Sequence, residues 1–423
     1  MNGLLKEHII SLKPSATLAI NEYSNELIAR GRRVLKLGFG QSPFPVPEEV
    51  VQALRDHAHE KDYLPVKGLP ALREAVANYN KKRYQIEATA KDILIGPGSK
   101  ELLFIAQLCY NSDLIIPSPS WVSYAPQAKI TNKVSSWIDT SSNPKKMLTA
   151  SMLDKFCQKF PGRRFMLILN YPSNPTGAPY NKVELKSLAA VARKEKLLII
   201  SDEIYGEMTH DGQHISIARF YPEGTIISSG LSKWCGAGGW RLGTFTFPEN
   251  LHWLLEAMAV VASETFTSTS TPIQYAALKA FDFGPSLEKY VQNSRLILSA
   301  IGNYTYNKLI AMRIQMTQPE GGFYLFPDFE YYRERLSLNN IKTSTDLCTI
   351  LLEETGIALL PGVDFGLPEE TLVARLSYVD FDGKEALAYL QDSKDLYLAD
   401  EFVKEFAPNI IIACETLKNW LNE

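Results

Sequence analysis

The chain has 423 residues, 45% hydrophobic and 22% charged, which fits a globular protein of two or three domains or one large α/β unit with an appendage. Lys plus Arg number 44 against 47 Asp plus Glu, and a net charge of −3 leaves no electrostatic footprint for nucleic acid or an anionic membrane. No apolar run reaches the roughly 18 residues of a spanning helix, and Lys6, Glu7, His8 and Lys13 stand where a signal peptide needs an apolar core.

The five cysteines are scattered and lack a C-x-x-C, so neither a disulfide framework nor a metal site is expected, and the reducing cytoplasm is the expected compartment. Short continuous apolar runs follow in chain order at Ile93–Gly96, Leu114–Pro117, Phe165–Asn170, Leu197–Ser201 and Thr225–Ser228. Runs of that length fit strands buried on both faces. Between them lie helix-like segments over 100–110 and 182–196, the second with Val183, Leu185, Leu188, Val191 and Ala192 near helical spacing. Strand, helix, strand, repeated over about residues 60–250, predicts an α/β fold: a mostly parallel sheet sandwiched by helices. Beyond it the pattern predicts a helix over 286–310, an extended segment over 321–329, a helix over 344–355 and a strand over 371–378. Residues 387–421 read as two or three helices with charged solvent faces, and the whole tail as a smaller α+β domain.

Ligands of parallel α/β sheets bind beyond the carboxyl ends of the strands, so polar residues just after each apolar run carry the chemistry. Gly98 and Ser99 open a helix directly after a strand, where free backbone N–H groups and the helix dipole favour an anion such as phosphate. The stretch Ser229 to Gly243 adds a hydroxyl, the amine of Lys233 and the guanidinium of Arg241, with two Trp and a Cys among five Gly. It matches neither a P-loop nor a G-x-G-x-x-G fingerprint. A lysine at a strand end beside an anion site can condense with a carbonyl once its proton affinity is lowered, which points to an aldehyde cofactor carrying a phosphate. Asp202, after an apolar strand, needs a cationic partner or several hydrogen bonds to stay ionised, and a protonated ring nitrogen would serve.

The stretch Gly230 to Gly243 resembles the lysine-centred signature of class I and II aminotransferases, fold-type-I enzymes that use pyridoxal 5′-phosphate. The resemblance extends through Leu37–Gly40, Asp62-Tyr63 with Gly68-Leu69, Asn170–Gly177, Asp202–Tyr205, Glu320–Tyr324 and Ala374–Tyr378. It implies a seven-stranded large domain over 48–295, an N-terminal arm with part of the small domain over 1–47, and a small domain over 296–423. It implies that Lys233 holds the cofactor and moves a proton as general base and acid, that Asp202 pairs with the ring nitrogen, and that Asn174 and Tyr205 bond the ring oxygen. Ser99, Ser229 and Arg241, with the backbone around Gly98, Ser99 and Lys100, form the implied phosphate cup, and Trp121 stacks on the ring face. Arg375 clamps the substrate carboxylate with Asn174 beside it, Gly40 lets backbone approach the same group, and Tyr63 reaches the phosphate of a partner subunit in a homodimer.

The activity so implied is a ping-pong exchange of an amino group between an L-amino acid and a 2-oxo acid. A lyase or decarboxylase on the same fold shares the lysine, the aspartate and the cup, although Arg375 with Gly40 favours deprotonation. A non-catalytic regulator would need a DNA-binding module, and the residues before Leu37 carry no basic helix-turn-helix pattern. Residues 264–277, where a cation for a distal carboxylate is expected in dicarboxylate-specific relatives, contain no Arg or Lys, and an aromatic entrance of Phe39, Phe44, Trp121, Tyr124 and Phe266 is compatible with broad or aromatic substrates. Cys235 reads as packing, and the Asp211-Gly212 turn argues against a metal pair at His210 and His214.

Overall fold

A computed structural model describes residues 4–12, 14, 16–392 and 400–422. Among the described residues, ten strands form two sheets. The larger comprises β1 (Ile93–Gly96), β2 (Asp113–Ser118), β3 (Ser135–Asp139), β4 (Phe165–Asn170), β5 (Leu198–Asp202), β6 (Thr225–Gly230) and β7 (Gly243–Thr246), in the order β1-β7-β6-β5-β4-β2-β3. β7 runs antiparallel to both its neighbours and the other pairings are parallel, so the seven-stranded, mostly parallel α/β sheet expected from the sequence is present. The smaller sheet has β8 (Tyr324–Leu325), β9 (Leu360–Pro361) and β10 (Ala374–Ser377), antiparallel in the order β8-β10-β9.

The central strands read as unbroken apolar runs because both faces are covered; Leu167, Ile168, Ile199 and Ile200 are fully buried. Two strands of the larger sheet escaped the sequence reading, as did the two-residue β9 of the smaller one. β3 is an edge strand of mixed polarity, Ser-Ser-Trp-Ile-Asp, with only Ile138 buried, so it offers no apolar run. β7, Gly-Thr-Phe-Thr, carries no apolar run and opens on the Gly243 that closes the Gly-rich stretch.

Helices fall close to their expected spans, at Ser99–Cys109, Lys182–Lys194, Pro285–Ala311 and Ser344–Thr355. The tail forms helices Gly383–Asp392, Asp400–Phe406 and Pro408–Asn422, which pack against Pro285–Ala311 and one another; residues 393–399 of the charged stretch lie outside the described residues. Residues before β1 join the small sheet's neighbourhood, since Leu35 bridges Ile357 and Ser377 N–H donates to the Leu37 carbonyl. No helix among the described residues is long and apolar enough to cross a membrane.

Candidate active site

Parallel register brings the chemistry to one end of the sheet. Asn170, Asp202 and Ser228 lie side by side at the ends of β4, β5 and β6, and Gly96, Gly243 and Gly230 form a second row across β1, β7 and β6. Because β7 runs the other way, its approach, including Arg241, arrives at that same end. A cavity of about 590 Å³ opens there, walled by Gly40, Ser99, Lys100, Trp121, Asn174, Asp202, Tyr205, Lys233, Arg241 and Arg375 of the predicted set.

Lys233 sits just past β6 and donates to the Gly40 carbonyl at 2.7 Å, with the Tyr205 and Phe323 rings 5.4 and 5.5 Å from its amine. Burial, then the positive charge of Arg375, pushes its proton affinity down to about 7, with Asp202 opposing and Arg241 adding to the fall. Asp202 is 3% exposed, and burial lifts its carboxyl to about 6 against hydrogen bonds from Tyr124, the Ile204 N–H and Ser228. It has neither of the ordinary partners of a strand-end aspartate, a helix N-terminus or a lysine or arginine in hydrogen-bond contact; its side-chain partners are the Tyr124 hydroxyl at 2.6 Å and the Ser228 hydroxyl at 3.4 Å. Local chemistry holds the floor rigid: the Asn170 amide donates to the Asp202 carbonyl at 2.9 Å while its oxygen accepts from Asn174 N–H at 2.8 Å, knitting the turn after β4 onto β5.

At one wall, helix Ser99–Cys109 starts behind Gly98, which gives no side-chain cap and stands at φ 92°, ψ 150°, a conformation open to glycine. A Cβ there would run into the Arg241 guanidinium, so glycine lets the helix N-terminus and the arginine converge. Lys100 lies with its amine 5.3 Å from the Trp121 ring, and burial followed by Arg241 lowers its proton affinity. At the opposite wall Arg375, 1% exposed, donates to Asn174 Oδ1 at 3.2 Å and to the Gly38 carbonyl at 2.6 Å, faces the Tyr324 ring at 4.6 Å, and keeps its Nε without a partner.

Two expectations need correction. Ser229 does not line the cavity: Ser228 beside it turns toward Asp202, and strand alternation sends Ser229 to the opposite face, while Ser232 lines the wall instead. Of the aromatic entrance, Phe44 is buried edge-on against Tyr290 and Phe381, Phe266 is absent from the wall, and Tyr124 is a buried hydrogen-bond donor. Gly98 packs against the Arg241 guanidinium at the edge of the wall, and Tyr63 is 88% exposed, away from the cavity of its own chain. Cys235 is buried and its thiol is raised by burial, as befits packing, and His214 bonds Glu203 at 2.8 Å.

The sequence missed the roles of Asn170, Tyr124 and Tyr324, whose hydroxyl lies 2.8 Å from that of Tyr205. Their motifs were visible, but their partners lie 32, 78 and 119 residues away.

A buried lysine of lowered proton affinity, a buried carboxylate across from it and a cationic anion cup, at the carboxyl end of this sheet, define the class of pyridoxal-phosphate enzymes of α/β type. A family model described as "Aminotransferase class I and II" matches residues 32–382, and the chain belongs to that family. Among its relatives, the aspartate aminotransferase of Geobacillus stearothermophilus is 34% identical over 88% of this chain and 94% of that protein. The asparagine–oxo-acid transaminase of Streptococcus mutans is also 34% identical, over the same shares. The solved structure of the Thermus thermophilus aspartate aminotransferase with maleate superposes with a TM-score of 0.82 at 27% identity, covering 97% of this chain and 99% of that one.

The chain is therefore a pyridoxal-phosphate-dependent aminotransferase acting on amino acids and oxo acids. Its residues fit that cofactor: the cup formed by Ser99 at the helix N-terminus and by Arg241 suits a phosphate, Asp202 suits a protonated ring nitrogen, and the unpartnered Arg375 Nε suits a carboxylate.

Proposed function

We propose that Lys233 holds pyridoxal 5′-phosphate in this cavity, which serves the two half-reactions of an amino-group exchange between an acidic L-amino acid and a 2-oxo acid. Lys233 carries the reading: a buried amine lowered to about 7 in the wall of this cavity has a lone pair for a carbonyl and can take up and return a proton near neutrality. When bound, the cofactor supplies an electron-withdrawing ring that stabilises negative charge at the substrate α-carbon. Asp202 pairs with the ring nitrogen, Asn174 and Tyr205 bond the ring oxygen, and Trp121 covers a ring face. Ser99, Ser232 and Arg241, with the backbone from Gly98 to Lys100, take the phosphate, and Arg375 beside Gly40 takes the substrate carboxylate.

Once Lys233, Arg241 and Arg375 are assigned, Lys100 is the remaining cation of the wall among the described residues, and its amine is the one placed for a second carboxylate. The aspartate names of several relatives support an acidic donor, and residues 264–277 contribute nothing to the wall. The exposure of Tyr63 supports its contribution to a partner's site in a homodimer, and five cysteines free of disulfides support the cytoplasm. The division at 47/48 and 295/296 separates the two sheets, the second boundary falling within helix Pro285–Ala311.

A panel of amino donors with 2-oxoglutarate tests the substrate. Aspartate is expected to lead, and Lys100→Ala to raise its KM roughly tenfold or more, as loss of a charge-assisted pair implies, with uncharged donors little affected. An equal loss for every donor would contradict the role of Lys100.

A further inference from the structure

Among the described residues Asp202 is the only carboxylate in the cavity wall, and its two oxygens are held unequally. Oδ2 accepts from the Tyr124 hydroxyl at 2.6 Å, whereas Oδ1 has the Ser228 hydroxyl at 3.4 Å. Tyr124 comes from a separate element, the first residue of helix Tyr124–Ile130, and is fully buried. Its ring meets Trp121 edge-on, with centroids 5.2 Å apart and planes at 80°. One side chain thus touches both the residue assigned to the ring face and the residue assigned to the ring nitrogen.

We propose that Tyr124 is a positioning residue whose phenol fixes the Asp202 carboxylate through Oδ2 and keeps it ionised, and so sets how firmly the ring nitrogen of bound pyridoxal phosphate retains its proton. The inference rests on the assignment of Asp202 made above. A short bond to a charged acceptor favours the carboxylate over the acid. Burial works the other way, and the Tyr124 bond is the largest contribution opposing it, ahead of the Ile204 N–H and the Ser228 hydroxyl. The remaining titratable groups around Asp202 are Glu203, whose charge favours the acid, Tyr205, and Lys233, which Asp202 favours in its charged form. Glu203 itself is occupied elsewhere, accepting from Ser201 and Ser216 and bonded to His214. Tyr124 remains a donor throughout the working range, because burial and then the Asp202 charge hold its proton far above the usual phenol value.

Removing the phenol leaves burial less opposed, so the carboxylate binds protons more strongly. A proton shared with the ring nitrogen then moves toward Asp202, and the ring withdraws electrons less. Phe at 124 keeps the ring and its contact with Trp121, which separates this role from packing.

The test starts with the full chain freed of cofactor, where infrared titration of the carboxyl stretch reads Asp202 directly and its loss in Asp202→Asn supplies the assignment. Tyr124→Phe is expected to raise the midpoint by about one to two pH units, the worth of a hydrogen bond to a charged acceptor. In the holoenzyme it is expected to lower kcat about tenfold with KM changed less than about threefold. Replacing Tyr124 by 3-fluorotyrosine, which keeps the shape and donates more strongly, is expected to lower the midpoint; if the Phe variant does not fold, this titration decides. A midpoint unmoved by these changes, or a moved midpoint with unaltered kcat, overturns the proposal. Unaltered turnover in Asp202→Ala would instead remove the Asp202 assignment on which it rests.

Discussion

Lys233 owes its chemistry to its surroundings. A lysine on a surface holds its proton to about pH 10, whereas burial and the Arg375 and Arg241 charges bring this one to about 7. The neutral, reactive form therefore predominates above pH 7 and is lost as pH falls through that value. The rate at which cofactor-free protein recaptures pyridoxal phosphate should rise with pH and level off above about 7. A rate still climbing toward pH 10, followed by absorbance in a stopped-flow mixer, would mean that the amine is solvated. At this scale much of the cavity wall was legible in the sequence: Lys233 and Asp202 from their places just past apolar strands, and Asn174, Trp121 and Arg375 through the family resemblance. Tyr124 and Tyr324 gave no such signal, because a phenol in an apolar stretch looks like any core aromatic until the residue it bonds, 78 or 119 positions away, is placed beside it.

Strand β1 and the helix that follows it show how an element builds a site from its end. The helix begins three residues after Gly96, its first turn is uncapped by any side chain, and Gly98 admits the Arg241 guanidinium against the chain. Ala at 98 would take up a conformation costing about 1–3 kcal/mol and displace Arg241. Gly98→Ala should consequently weaken cofactor binding roughly tenfold or more in a titration of cofactor-free protein; an unchanged Kd would place the phosphate elsewhere. The apolar central strands were legible because burial on both faces writes a continuous run. β3 and β7 were not, the one being a polar edge and the other, Gly-Thr-Phe-Thr, offering a single apolar side chain. Strand alternation also explains Ser229: a serine one place from Ser228 faces away, a one-residue distinction that motif spacing does not carry.

For the whole molecule, the cavity lies where distant stretches meet, among them Phe39–Gln41, the start of the helix at Ser99, Trp121–Tyr124, the ends of β4 and β5, the loop from Ser232 to Arg241, and β10 with Arg375. Residues from the small sheet's neighbourhood thus complete a site founded on the large sheet, with Lys233 bonded across 193 residues to Gly40 and Arg375 across 201 to Asn174. That meeting of sheets followed from the family resemblance rather than from periodicity, which reports elements but not their assembly. The account as a whole turns on which amine carries the cofactor. Borohydride reduction of the holoenzyme, followed by peptide mass mapping, should bleach the absorbance and leave a single reduced pyridoxyl phosphate group on Lys233. A group found on Lys100 or on any other lysine, with Lys233 unmodified, would contradict it.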